Sequence, residues 1–403
     1  MTGHLLKLVW KRKRANALLT LEIFFSFIVL FIVTTLGAEM IMRYRRPLGF
    51  DYHGVWSAGI AFSDRAPTRQ KGHEKEWEVP HRAMIERMLN ELRSLPEIDA
   101  AAACTSPPYI LATQQSKGDY NGLHYEFTRD SVTDDYAKVM RLRILAGRWF
   151  GPQDEAAREP VVVLDSDAAR QFGPRGAVGQ LLRFSDHEQY RIIGIIAPFR
   201  KGGEFSPDRV NMAFDRISLR STSGAMPHYI VMRIRPGVPA VFEQTLTRRL
   251  HAIAPEYAVR IVRMDWMRRG TNGVYRQPAI LGSMVAVFLV VMVFLGLTGV
   301  LWQNVTRRTR EIGLRRALGA TGLAVNLQIL VEVTLLSTVA VVVGVILIAQ
   351  LPILGVLRVV TPTAYAIGTG SALATIYGLT LLCGVYPSWL AGRVQPAQAL
   401  HYE

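Results

Sequence analysis

Apolar and polar positions divide this chain before any single residue does. Four stretches, 17–41, 281–301, 323–351 and 369–390, meet or approach the roughly 20 apolar residues that a helix needs to cross a bilayer core of about 30 Å. The second carries no charged residue. The third holds Glu332 in its first half, the fourth is softened by Gly and Ser, and the first has Glu22 and Glu39 near its two ends. A long polar region lies between the first and second stretches. Within it, 55–62 reads as a strand, and 80–95 as an amphipathic helix with Met84, Met88, Leu89 and Leu92 on one face; 100–104 is a return strand. The order recurs with a strand at 228–234, a helix at 241–253 and a strand at 257–264. Two βαβ units parted by an insertion, about 109–225, predict a split ferredoxin-like α+β subdomain with an inserted β-rich subdomain. In the insertion, 161–164 and 191–196 are strand-like, with Gly/Pro turns between them.

The fold expected is therefore an α-helical membrane protein with four transmembrane helices and an α+β domain, with a split ferredoxin-like subdomain and an inserted β-rich subdomain, between the first two. Its segments are an N-terminal cytoplasmic piece (1–16), membrane helix one (17–42), the polar domain (43–278), helix two (279–303), a short basic helix (304–320), helix three (322–351), helix four (369–391) and a cytoplasmic tail (392–403). Lys7, Lys11, Arg12, Lys13 and Arg14 precede helix one, while Arg307, Arg308, Arg310, Arg315 and Arg316 fill the gap between helices two and three. By the positive-inside rule these segments and the carboxyl terminus are cytoplasmic and the polar domain is outside. A cleaved signal peptide is the alternative for helix one, whose apolar run is long for that role.

The formal net charge of +15 would suggest nucleic acid in a soluble chain. The polar domain, however, holds 35 Lys+Arg against 27 Asp+Glu, spread thinly and without interleaved aromatic residues, so no nucleic acid is expected. The two cysteines, Cys104 and Cys383, imply no disulfide framework. There is no phosphate-cradling GxxxxGK[ST] loop, so ATP hydrolysis is not expected from these residues alone. His53, His73, His81 and His124 lack metal-ligand spacing and read as solvated loop residues; no metal site is expected. Tyr125, Phe127, Trp149 and Phe150 read as core. Glu332 is an ionisable group in an apolar stretch, where a partner is needed, and a structural hydrogen bond outweighs a proton relay.

The stretch RRTREIGLRRALGAT, 307–321, has good helix propensity and a stop at Gly319. Ile312 and Leu318 are enough to dock in a protein groove, and the surrounding arginines would equally suit an anionic-lipid anchor; the two readings stand level on physics alone.

This stretch resembles the signature of the FtsX-like and MacB-like permease family of ABC transporters. QILVEV, with Gln328 and Glu332, is similar to the family's third membrane helix, and YPSWLAGRVQPAQALHYE to its tail. LAGRWFGPQDE, PVVVLDSDAARQFG, GAVGQLLRF and YRIIGII are similar to its MacB-type periplasmic domain. The resemblance implies that Arg310, Glu311, Ile312, Gly313, Leu314, Arg316, Ala317, Leu318 and Gly319 form a coupling helix in a groove of a cytoplasmic ABC ATPase. It implies a permease subunit in the bacterial inner membrane, with no catalytic residue or cofactor of its own and with ATP and Mg on the partner ATPase. A second permease, as a homodimer or heterodimer, a periplasmic adaptor and membrane lipid are the other partners it suggests. Motion driven by ATP would then export or extract a substrate; a non-transporting regulator of a periplasmic enzyme is the alternative. Helix one lacks the family's common glycines, and helix three keeps only Gly344.

Overall fold

The computed structural model describes residues 13–62, 74–110, 114–120, 123–157, 159–173, 176–184, 189–206, 211–220, 225–307, 321–355 and 360–392. The chain divides into two compact units, residues 43–275 and the remainder, and each has its own core.

In the polar unit, β1 (Val55–Phe62), α2 (Glu74–Ser94) and β2 (Ile98–Cys104) form the first βαβ half; β10 (Tyr229–Ile234), α5 (Phe242–Ile253) and β11 (Tyr257–Arg263) form the second. The helix before them, α1 (Lys13–Tyr44), belongs mainly to the other unit. The four strands lie in the order β11-β1-β10-β2, all antiparallel neighbours, which is the ferredoxin-like arrangement. Met84, Ile85, Met88, Leu89 and Leu92 recur at helical spacing and cover Ala58, Ile60, Ile230 and Met232. Each such side chain contributes about 1.5–3 kcal/mol when withdrawn from water.

His81 sits on this same helical face, one turn before Met84 and Ile85, and is fully buried rather than solvated. Its Nε2 lies 3.3 Å from the Pro227 carbonyl oxygen, which accepts from it, and its ring is 5.4 Å from that of Tyr257. Burial lowers its pKa and keeps the ring neutral. His53 and His124 are exposed, as expected, and His73 lies outside the described residues.

The sheet has core on both faces. Ala101 and Ala103 face the helices, while Ala100, Ala102 and Cys104 face a second cluster built from Tyr136, Val139, Met140, Trp149 and Phe214 of the insertion. Small side chains on β2 let both layers come close. The insertion runs from β3 (Gln114–Tyr120) and β4 (Leu123–Val132) through α3 (Tyr136–Met140), β5 (Ile144–Gly147), β6 (Val161–Asp165), α4 (Ser166–Ala169), β7 (Leu181–Phe184) and β8 (Gln189–Ile196) to β9 (Met212–Arg216). Its strands are not a separate sheet: Cys104 pairs with Val132, so β2 leads straight into β4. From β4 the order runs β3-β7-β8-β6-β9, and β9 pairs in parallel with β4, closing a six-stranded ring. Phe127, Val162, Leu164, Leu182, Phe184 and Ile192 fill it.

The other unit holds α1 through residue 42, α6 (Met264–Arg307) from residue 276, α7 (Gly322–Gln350) and α8 (Pro362–Gly392). All four are long and apolar enough to cross a membrane. Ile23, Phe27, Leu30 and Phe31 of α1 form the centre of the core. Two glycines make room for α1: a Cβ on Gly344 would lie 2.5 Å from Phe27, and one on Gly296 would lie 2.7 Å from a Glu22 carboxylate oxygen. α6 starts well before its apolar run, through the polar stretch Asp265 to Gln277. Hydropathy reads only the apolar part of such a helix.

Candidate functional site

The positions expected to dock an ATPase, Arg310 to Leu314 and Arg316 to Gly319, lie outside the described residues. Gln328 falls within α7, but its side chain is also outside them. Glu332 is half-buried on α7, one turn before the buried Leu336. Glu39 is buried near the end of α1, and its Oε2 accepts from both the backbone N–H and the hydroxyl of Thr361, at 2.9 Å each. Thr361 immediately precedes α8, so the carboxylate sits at that helix's positive end. Neighbouring hydroxyls are satisfied similarly: Ser337 and Thr380 meet at 3.0 Å, and Tyr365 donates to the Ile348 carbonyl at 2.7 Å. In these three cases a polar side chain binds one membrane helix to another or to its cap, as a low-dielectric setting favours.

The richest polar constellation is in the other unit. The turn after β8, PFRKGGEF (198–205), joins the last residues of α1 to the first turns of α6. Arg200 donates to the Arg43 carbonyl at 2.7 Å and to the Ser206 carbonyl at 3.2 Å, while its backbone N–H donates to the Leu48 carbonyl. Arg43 donates to the Phe205 carbonyl, and Tyr44 stacks on the Phe205 ring. On the other side, the buried Glu204 carboxylate accepts from Arg268 Nε and, at 3.0 Å, from Asn272 Nδ2. Thr271 donates to the Tyr109 carbonyl at 2.6 Å, and the Tyr109 N–H donates to the Lys201 carbonyl. Arg268 also lies over the Tyr52 ring, 4.8 Å from its centroid. We call this turn the clasp.

Glycine is required here. Gly203 has φ +88°, and a Cβ on it would lie 2.6 Å from the Tyr109 ring; Gly49, at φ +84°, presses on the Pro198 carbonyl. Behind the clasp, Lys201 and Asp130 form an ion pair at 3.2 Å with almost no solvent on either side chain. Thr105 donates to Asp130 Oδ1 at 2.5 Å and the Ser106 N–H at 3.2 Å. Burial pushes the Asp130 carboxyl upward against these groups, all of which favour its charge. Burial likewise raises the Tyr109 phenol, and Glu204 adds to it. The only signal in the sequence was a charged run with paired glycines directly after an alternating strand. No group of three or more His, Cys, Asp or Glu able to hold a metal occurs among the described residues.

The family description of a MacB-like periplasmic core domain matches residues 49–248, and that of an FtsX-like permease C-terminal domain matches 283–396. The chain belongs to the MacB/FtsX-like permease family. Macrolide export ATP-binding/permease protein MacB of Escherichia coli K12 is 26% identical over 414 aligned positions, and that of Shigella flexneri 27% over 417. Each alignment takes in 99% of this chain and 60% of the relative, so the chain spans about 60% of the length of the curated relatives it matches. Among solved structures, the periplasmic region of MacB from Actinobacillus actinomycetemcomitans is 17% identical, with a TM-score of 0.39 over 56% of this chain and 94% of that one. The extracellular domain of the ABC-type transporter YknZ from Gram-positive bacteria is 14% identical, with a TM-score of 0.35 over 51% and 99%. In this MacB/FtsX-like permease chain, the clasp residues 200–206 fall inside the core-domain match, and Glu332 inside the permease match.

Proposed function

We propose that the chain is the permease subunit of an ATP-driven ABC transporter in the bacterial inner membrane. The observation that carries this reading is the pairing, on one chain, of a MacB-like core domain with an FtsX-like permease domain and four apolar helices. The amino and carboxyl termini are cytoplasmic and the polar domain is periplasmic. A cytoplasmic ATPase on a separate chain binds ATP and Mg, and this chain makes and breaks no bond itself. Arg310, Glu311, Ile312, Gly313, Leu314, Arg316, Ala317, Leu318 and Gly319 dock in a groove of that ATPase. Its closing and opening move the membrane helices, and the clasp passes that movement into the polar domain, where a substrate is exported or extracted. A second permease, identical or not, completes the pair, with lipid around it and a periplasmic adaptor as a further partner.

The test is affinity purification of the tagged full chain from native membranes in mild detergent, with mass spectrometry of what remains bound. A Walker-motif ATPase at one copy per permease is the expected result. Absence of any ATPase, under conditions that preserve a known complex of this kind, overturns the coupling-helix reading. Ile312→Asp, with every arginine kept, should lower ATPase stimulation at unchanged membrane localisation; a lipid anchor would be indifferent to it.

A further inference from the structure

β11 is the outermost strand of the sheet: it pairs with β1 along its whole length and with no other strand among the described residues. An edge of this kind leaves a row of backbone N–H and C=O groups ready to pair with another extended chain. A groove of about 600 Å³ lies against it, lined by residues 259–263 of β11 together with Glu243 and Thr247 of α5 and Trp266 and Arg269 of α6. Trp266 is 57% exposed, an unusual placement for the largest apolar side chain.

Charge decides what fits there. β11 carries Arg260 and Arg263 and no carboxylate. Arg263 and Arg269 share one acid, Asp265, at 3.1 and 3.6 Å, and Arg260 has no ion pair among the described residues. A second copy of this edge, laid antiparallel with Arg260 opposite Arg260, would set arginine against arginine, and like charges on facing strands repel. We propose that the β11 edge is a docking site for an extended acidic segment of a partner protein, which adds to the sheet as a further strand. Its backbone pairs with β11, its carboxylates meet Arg260 and Arg263 on opposite faces, and an apolar side chain covers Trp266. This inference stands apart from the transport reading.

The probe is a fluorescein-labelled peptide with glutamate at every third position and valine between, which sets carboxylates on both faces of a strand, titrated onto the purified full chain in detergent and followed by anisotropy. Binding should be about tenfold tighter than for the matching valine–lysine peptide, a ratio of about 1.4 kcal/mol. Methylating alternate backbone nitrogens of the peptide should abolish binding for one of the two possible phases, and amide exchange in 257–263 should slow on binding. The double variant Arg260→Glu with Arg263→Glu should lose the acidic peptide and gain the lysine one, which also shows that it has folded. Binding indifferent to both methylation phases means surface charge alone, and overturns the proposal. So does an absence of binding, or a charge-swapped variant that is folded yet keeps its preference for glutamate.

Discussion

If the clasp holds the two helix ends together, replacing Glu204 by Gln should loosen it measurably. The carboxylate is 5% exposed and accepts from Arg268 and Asn272. Charge-assisted bonds contribute about 1.5–3 kcal/mol each in net terms. Gln keeps the shape and one acceptor oxygen but presents an N–H to a donor, so one charged bond is lost outright. Arg268 retains some solvent, at 23% side-chain exposure, which reduces the cost to about 2 kcal/mol. That corresponds to about a thirtyfold rise in local opening. Amide exchange followed by mass spectrometry reads it directly, because the N–H of Gly203 and of Ser206 donate within the turn, to Arg200 and Gly203. Exchange in 203–206 should accelerate about thirtyfold, while β10 amides at 230–232 remain unchanged. Acceleration below about threefold, or equal acceleration in β10, would refute the reasoning: the first means that Glu204 holds nothing, the second that the whole domain has loosened.

Lys201→Met should destabilise the polar unit by about 3–5 kcal/mol, since it strands the Asp130 carboxylate in the interior, and adding Asp130→Asn should restore most of this; urea unfolding of the two variants checks it. Burial pushes the Asp165 carboxyl up to about 7, against the N–H groups of Ala168, Met212 and Phe199 that favour its charge. Because the folded state keeps this proton to a higher pH than the unfolded chain does, the stability it confers is complete below about pH 4 and is lost as pH rises through about 7. Exchange protection of 161–165 should therefore decline over that interval by up to about 1.4 kcal/mol per pH unit, and Asp165→Asn should flatten the profile. Gly344→Ala should cost about 1–3 kcal/mol by pressing on Phe27, and Phe27→Leu in the same chain should relieve part of it, as thermal unfolding in detergent would show.

Much of this architecture was legible because its signals are local. The strand at 55–62 and the helix at 241–253 follow from spacing over one short window each, and the ferredoxin-like order from their repetition. β3 and β4 were not legible. QQSKGDY has no apolar alternation, and it is a strand because it pairs along its length with β4 and meets β7 at two further positions. Closure of the ring depends on β4 meeting β9 across some eighty residues of sequence, through Thr128 opposite Met212 and Val132 opposite Arg216, and no local periodicity encodes such a meeting. His81 was misread for a related reason: its polarity suggested solvent, but its position on the Met84–Met88 face determined its burial.

The same contrast separates the two elements proposed to carry function. The stretch proposed to dock, 310–319, is contiguous in sequence, so propensity, charge and a family signature can all point to it. The clasp is built from 43–46, 109, 200–206 and 268–272, and none of these carries the meaning alone. Hydropathy ended the expected membrane helix two before Arg268 and Asn272 were reached, because the stretch from Asp265 to Gln277 has no apolar run. What keeps that stretch helical is tertiary: Glu204 and the Tyr109 carbonyl hold Arg268, Thr271 and Asn272 on successive turns. A helix that depends on such contacts is also one whose end can be released by breaking them. For a chain proposed to carry motion, the polar beginning of α6, with the clasp that grips it, is therefore the place where a single charge change should separate movement in the membrane from movement in the polar domain.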